Sequence, residues 1–364
     1  MKCAPPQLRI AVIGAGIAGA ACARALSRSG HVLHVVDKSR GAGGRLATRR
    51  LEWLDPLGKR RIAKVDHGAP AFTASGAAFR QFCVEASQSG CLTPWEPTLA
   101  VGGRPLDIAG PMWLPQPDMP SLCRDLLRDI STTWTFAVDR LLQRPLGWQV
   151  EAAGQALPGH FDAVVLALPP AQAAPLLAPH RSDWAQRASL ALMQPCWTLM
   201  AVSRRAANDV AWDVARPEQG PLAWVMRQDA RPGRERSVDE AHWVAHARAG
   251  WSRQHLEQPA DWVLERMQAA MQEGLVEPIE WQHAVVHRWR YAMLQFSGAA
   301  PARQCWWDGS RGLGACGDFL GGTGVEGAWQ SAQALIDAMS YGTADAPAPT
   351  DSPLTDRRFQ RAAA

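Results

Sequence analysis

A short apolar run, Arg9 to Ile13 (RIAVI), leads directly into Gly14-Ala15-Gly16-Ile17-Ala18-Gly19. The GxGxxG opens an alanine-rich segment, Ile17 to Ser29, that reads as a helix, and a second apolar run, Val32 to Val36, follows it. Strand, glycine turn, helix and strand make a β-α-β unit, and that context predicts a dinucleotide site. Gly14 permits the tight turn, Gly16 lets a pyrophosphate approach the backbone, and Gly19 lets the helix pack close to the strand. Ile17 and Ala18 lie in the first helical turn, whose free N–H groups and positive dipole end favour phosphate.

Asp37 ends the second strand at the spacing of a ribose-binding acid. A carboxylate there accepts from both ribose hydroxyls and repels a 2′-phosphate, which suits FAD or NAD better than NADP. Lys38 follows it as a further cofactor-binding candidate. The alternative for Asp37 is an exposed turn residue. Next come Gly41-Ala42-Gly43-Gly44-Arg45, which a plain NAD dehydrogenase does not need. Glycines let the chain fold back close to the cofactor. Arg45 would then place its always-charged fork on the pyrophosphate, opposite the helix dipole. The alternative is a surface arginine in a plain turn. This D-x(3)-G-x-G-G-R-L arrangement resembles the flavoprotein family that includes amine oxidases and phytoene desaturases, in which FAD is held along its whole length.

The far end fits the same resemblance. Gly312-Leu-Gly-Ala-Cys-Gly-Asp318 and Gly321-Gly-Thr-Gly-Val-Glu-Gly-Ala-Trp329 look like that family's closing motif. The resemblance implies that Gly317, Asp318, Gly324 and Val325 touch the cofactor. Asp318 would accept from ribityl hydroxyls or reach phosphate through water. A helix starting near Gly324 would aim its positive end at the pyrimidine side of the flavin and stabilise negative charge there on reduction.

Between these ends the pattern is mixed. Arg61 to Val65 reads as a strand, Ala77 to Ser87 as a helix, and a helix capped by Asp118 or Ser121 is expected to run to about Ile130. Thr133 to Val150 reads as a hairpin region and Phe161 to Leu168 as a buried strand. Cys196 to Ser203, Pro221 to Arg227 and Ala284 to Arg290 are further strands, Asp261 to Gln272 a polar helix, and Gly324 to Met339 a long closing helix. The expected fold is α/β. A Rossmann-like FAD-binding domain is assembled from residues 1–75, 145–190 and 284–340, and a mixed α+β substrate domain from 76–144 and 191–283. The tail 341–364 is expected to be disordered.

Several segments, in order, narrow the resemblance: Asp66-His67-Gly68-Ala69 trailed by Phe72-Thr73; Pro195-Cys196-Trp197; Trp251-Ser252 with His255-Leu256-Glu257; and His287-Arg288-Trp289-Arg290-Tyr291-Ala292. Together they resemble the bacterial renalase-like flavoproteins over residues 8 to 340. The resemblance implies a p-hydroxybenzoate-hydroxylase-like FAD domain and noncovalent FAD. It also implies oxidation of isomeric dihydro-NAD(P), with hydride passing to flavin N5 and O2 as acceptor giving H2O2. The sequence departs from that family at Pro70-Ala71, where relatives carry Gln-Tyr. Both replacements lack side-chain hydrogen bonding, so substrate identity is the property they bear on.

Hydride transfer onto a flavin asks little of side chains beyond placing the donor carbon and keeping water out. No nucleophile and no metal are therefore expected. His67, Trp289 and Tyr291 are the catalytic candidates, with His287 beside them in the pocket wall. Trp289 and Tyr291 alternate along a strand and so face one side; ordinary core packing is the alternative for both. Seventeen tryptophans suggest large rigid surfaces around a pocket.

The net charge of +4 without a long basic run argues against nucleic acid, and no apolar run suits a membrane span. Eight cysteines without CxxC or metal spacing suit reduced thiols in a cytoplasmic protein. Leu8 to Leu26 imitates a signal peptide, but its spaced glycines fit the strand–turn–helix better. Expected partners are a small-molecule substrate and O2, with no nucleic acid and no membrane. The remaining alternatives are an amine oxidase or desaturase, a flavin-binding protein without catalysis, and an NAD dehydrogenase.

Overall fold

The structure is a computed structural model and describes residues 7–102, 104–106, 110–204, 210–273, 279–295 and 304–341. Most of the tail expected to be disordered lies outside the described residues. The chain forms two compact units. One takes the amino-terminal segment through Gly44, Pro120–Leu192 and the segment beginning at Leu294; the other takes Arg45–Met119 and Met193–Met293.

The first unit is built on a six-stranded sheet. Its spatial order is Trp306–Asp308, Leu313–Ala315, Ala163–Leu166, Arg9–Ile13, Val32–Val36, Ser131–Thr133. All neighbours pair in parallel except the Trp306–Asp308 edge, which is antiparallel. Parallel strands are covered on both faces, which is why these segments are continuous apolar runs. Ile10, Ala11, Val12, Val164, Val165 and Leu313 are fully buried. The helix Ile17–Arg28 is mostly alanine and glycine on its buried side, and these small residues let it lie close to the closing helix Gly324–Tyr341. Order reverses at Arg9–Ile13, between Val32–Val36 on one side and Ala163–Leu166 on the other. In open α/β sheets ligands bind outside the carboxyl ends of the strands at such a reversal.

The second unit is built on a seven-stranded sheet ordered Trp281–Leu294, Met193–Arg204, Glu240–Ala247, Leu222–Arg227, Val214–Arg216, Leu99–Val101, Arg104–Leu106. Helices Ala249–Gln254 and Ala260–Glu273 cover one face, where Val263, Met267 and Met271 meet Trp197, Leu199 and Trp243. A two-stranded hairpin, Thr48–Leu54 with Arg60–Asp66, belongs to this unit.

The boundaries differ from those expected from sequence. Residues 45–75 join the second unit because buried Asp66 binds Arg231 and Arg234 there. Residues 120–144 join the first because Ser131–Thr133 extends the parallel sheet beside Val32–Val36. The helix expected to reach Ile130 ends at Leu126, and Asp129 turns the chain with φ of 66° into that strand.

Candidate functional site

The glycine fingerprint separates into positions fixed by the protein and one left open. Gly14 has φ of 112°, and a Cβ there would lie 2.3 Å from the Ala167 carbonyl oxygen. A Cβ on Gly19 would lie 1.9 Å from the Gly14 carbonyl oxygen. Both are therefore demanded by packing. Gly16 is different: its φ is −74°, and the nearest protein atom to an added Cβ is 3.9 Å away. No described residue crowds that position enough to require glycine, so the surface over its backbone fits the approach of a phosphate.

Asp37 stands at the carboxyl end of the neighbouring strand. Its Oδ2 accepts from the Ala15 backbone N–H at 2.7 Å and its Oδ1 from Ser39 N–H at 2.7 Å. A carboxylate has about four lone-pair sites, so one on each oxygen remains for a vicinal diol. Lys38 is exposed. The glycine run folds back as expected: Gly43 N–H donates to the Ala15 carbonyl at 2.9 Å and pairs with Gly16 as a parallel bridge. Gly44 has φ of 57°, and a Cβ there would lie 3.1 Å from Gly16 Cα.

Gly317 follows Leu313–Ala315 at the same carboxyl end of the sheet, and its N–H donates to Ser331 Oγ at 2.9 Å. Ser331 thus ties the closing turn to the closing helix, a role the sequence reading missed. Asp318 is 2 % exposed and opens a short helix, Asp318–Gly321. That leaves little of its surface for direct contact with a ligand. The closing helix starts at Gly324, with Val325 half-buried in its first turn.

The remaining candidates lie in the second unit. Arg45 Nη1 donates to the Ala292 carbonyl at 3.1 Å. His67 N–H donates to the Ala47 carbonyl, and the His67 carbonyl accepts from Trp289 Nε1 at 3.0 Å. The His67 ring lies 5.1 Å from Trp289 and 5.0 Å from His287, edge-on to the latter. Tyr291 is half-buried two residues beyond Trp289 on the same strand face. Three of the predicted wall residues, His67, His287 and Trp289, are therefore in mutual contact.

Burial dominates the electrostatics of this cluster. It pushes the His67 pKa down to about 3, helped by His287 and Arg49, and the His246 pKa down to about 4. His287 and His283 are lowered by burial and then by Arg49. These imidazoles are neutral at physiological pH. Asp66, adjacent to His67, is fully buried; burial would raise its pKa, but Arg231 and Arg234 hold it below the usual carboxylate range. Arg231 donates to it at 3.0 Å, Arg234 at 2.7 Å, and Thr48 adds a third hydrogen bond. His246, His283, Arg231 and Arg234 escaped the sequence reading.

Among the described residues no group of three or more His, Cys, Asp or Glu could hold a metal ion. Nor is any described helix long and apolar enough to cross a membrane.

A profile described as an NAD(P)-binding Rossmann-like domain matches residues 12–86. The fingerprint is that of a Rossmann-like dinucleotide fold. Solved structures align along nearly the whole chain. A candidate protoporphyrinogen oxidase from Exiguobacterium sp. 255-15 matches with a TM-score of 0.69 at 10% identity, covering 93% of this chain and 100% of its own. Cyclohexylamine oxidase from Brevibacterium oxydans IH-35A matches with a TM-score of 0.64 at 12% identity, over 93% and 100%. Reduced UDP-galactopyranose mutase matches with a TM-score of 0.68 at 10% identity, over 94% and 95%. At these identities the likeness is one of fold.

Proposed function

We propose that this protein is an FAD-dependent oxidoreductase that takes a hydride from a small substrate. The carrying observation is the carboxyl end of the parallel sheet, where Gly16 leaves open backbone, Asp37 keeps free lone pairs and the closing helix begins. Gly14 to Gly19 would hold the pyrophosphate, Asp37 the ribose, and Gly317 with the Gly324–Val325 helix start the flavin end. Arg45 is the further candidate for the phosphate oxygens, since a guanidinium fork matches two of them at once. When bound, FAD supplies the hydride acceptor.

The chain's own contribution is positioning and exclusion of water. His67 and Trp289 form a wall fixed by the Trp289 Nε1–His67 carbonyl bond. With a pKa of about 3, His67 is uncharged at neutral pH and keeps one ring N–H, so it orients a polar group by hydrogen bonding and does not act as a proton-donating acid. Tyr291 extends the same face. A reaction that moves a hydride and needs no acid in this wall suits such a surface.

The substrate favoured by the renalase-like resemblance is isomeric dihydro-NAD(P), with O2 as acceptor giving H2O2, in a cytoplasmic protein. Amines come second, supported by the likeness in fold to cyclohexylamine oxidase. The test is anaerobic mixing of the purified yellow protein with 2- and 6-dihydro-NAD(P) while watching the visible flavin band. Bleaching that air reverses, with peroxide formed, is expected. A band unchanged by these compounds and bleached by amines would overturn the substrate, and a colourless protein would overturn FAD.

A further inference from the structure

Strand Thr48–Leu54 divides its residues between two faces. Arg50, Glu52 and Leu54 point outward and are exposed, while Leu51 and Trp53 on the other face are buried. Arg49 shares that second face by alternation, yet it is exposed. The hairpin's other arginines have carboxylates: Arg50 and Arg60 pair with Glu52, and Arg61 with Asp55. The Arg49 backbone pairs with Val65, but among the described residues no carboxylate pairs with its guanidinium.

The strand Trp281–Leu294 brings aromatic nitrogen rings to this face. His283 stacks on Trp53 at 5.4 Å with an interplanar angle of 7°, and His287 meets His67. The charge of Arg49 reaches His67, His283 and His287, all of which it helps keep neutral. A guanidinium thus sits among neutral imidazoles with no balancing carboxylate among the described residues. His67 lies opposite Ala47 across the hairpin, diagonal to Arg49 on the same face, and among the described residues its buried Nδ1 lacks a hydrogen-bond partner. His67 is 8 % exposed, and a buried polar group left unpaired is costly.

The geometry points to an oxyanion subsite anchored by Arg49, with the His67 ring as a supporting contact. Its ligand is a carboxylate or phosphate group of the substrate. A guanidinium suits either oxyanion because its planar fork matches two oxygens at once. The same charge repels an ammonium, so the subsite selects an anionic substrate over a free amine. This inference rests on the reading that the His67–Trp289 wall is the substrate side.

The test is calorimetric titration of the flavin-loaded full chain at low salt with inorganic phosphate and, separately, with benzoate. At least one is expected to bind, with Kd at least tenfold weaker in Arg49→Gln and partly restored in Arg49→Lys. His67→Phe keeps a ring of similar shape but removes its nitrogens, and it should weaken binding several-fold. Binding of phosphate alone identifies a phosphate-bearing substrate, and binding of benzoate alone a carboxylate-bearing one. No binding of either, or equal Kd in Arg49→Gln with unchanged Tm, overturns the subsite. Arg49-dependent binding without bleaching by dihydro-NAD(P) would discard the proposed redox substrate and keep the subsite. Bleaching with Arg49-independent binding would do the reverse.

Discussion

A Cβ placed on Gly68 would lie 2.0 Å from the carbonyl oxygen of Arg45. The two segments 45–47 and 67–69 cross there, held by Ala69 N–H on the Arg45 carbonyl at 2.8 Å and His67 N–H on the Ala47 carbonyl at 3.0 Å. The arginine nearest the glycine run and the histidine of the wall are therefore placed by one crossing. Gly68→Ala should cost about 1–3 kcal/mol, because the atoms in the way are backbone and cannot rotate aside. Urea unfolding measures the loss, and a Gly68→Ala midpoint equal to wild type would refute the crossing.

Gly16 and Gly19 should respond oppositely to alanine. Gly19→Ala drives a methyl into the Gly14 carbonyl and should cost about 1–3 kcal/mol of stability. Gly16→Ala meets only ordinary van der Waals contact, 3.9 Å from Gly44 Cα, and should change stability by less than about 0.5 kcal/mol. It should nevertheless lose flavin, read as a lower ratio of visible to ultraviolet absorbance after gel filtration. Full flavin occupancy in Gly16→Ala would remove the phosphate from that position.

Asp66→Asn removes the anion shared by two buried arginines. Their charges would remain without a counter-ion, a situation that costs about 3–5 kcal/mol. A denaturation midpoint within error of wild type would show that the pair contributes nothing.

The buried histidines make stability depend on pH with a definite sign. Their folded pKa values, about 3 for His67 and about 4 for His246, lie below the ordinary 6.5. Between these limits the unfolded chain binds more protons than the folded one, so stability is full above the ordinary value and declines as pH falls. At its steepest each histidine contributes about 1.4 kcal/mol per pH unit. Urea midpoints measured on descending from neutral pH should show the decline, and His67→Gln should reduce its slope by one histidine's share. An unchanged slope in that variant would mean His67 is not the group that titrates.

The dinucleotide half of the fold was readable because its signals are local. RIAVI, the glycine turn and VLHVV are contiguous, and parallel strands announce themselves as apolar runs with no alternation to confuse. The closing helix began at Gly324 as expected. The second half was poorly read because its key contacts join distant segments. Thr48–Leu54 hid among arginines whose charges mask the Leu51/Trp53 alternation. Glu240–Ala247 went unseen although it lies mid-sheet, between Met193–Arg204 and Leu222–Arg227, since its histidines look polar in sequence. Asp66 and Arg231 are 165 residues apart, and no periodicity links them. Of the candidate site, the glycines, Asp37, His67 and Trp289 were legible as motifs. Arg49 was not, because what distinguishes it is the absence, among the described residues, of a partner carboxylate that its neighbours possess.

The chain threads alternately through its two units, and the last parallel strand, Leu313–Ala315, is contributed near the far end. During synthesis the amino-terminal glycine turn emerges first but lacks that flank of its sheet until residue 315 has left the ribosome. Ala163–Leu166, fully apolar, meanwhile waits with one edge uncovered. Completion of this sheet thus waits on residue 315, and a nascent chain stalled before it presents an open, sticky sheet edge to chaperones. For the same reason neither unit can be excised as one continuous fragment, and transplanting one into another scaffold requires circular rearrangement or several grafts.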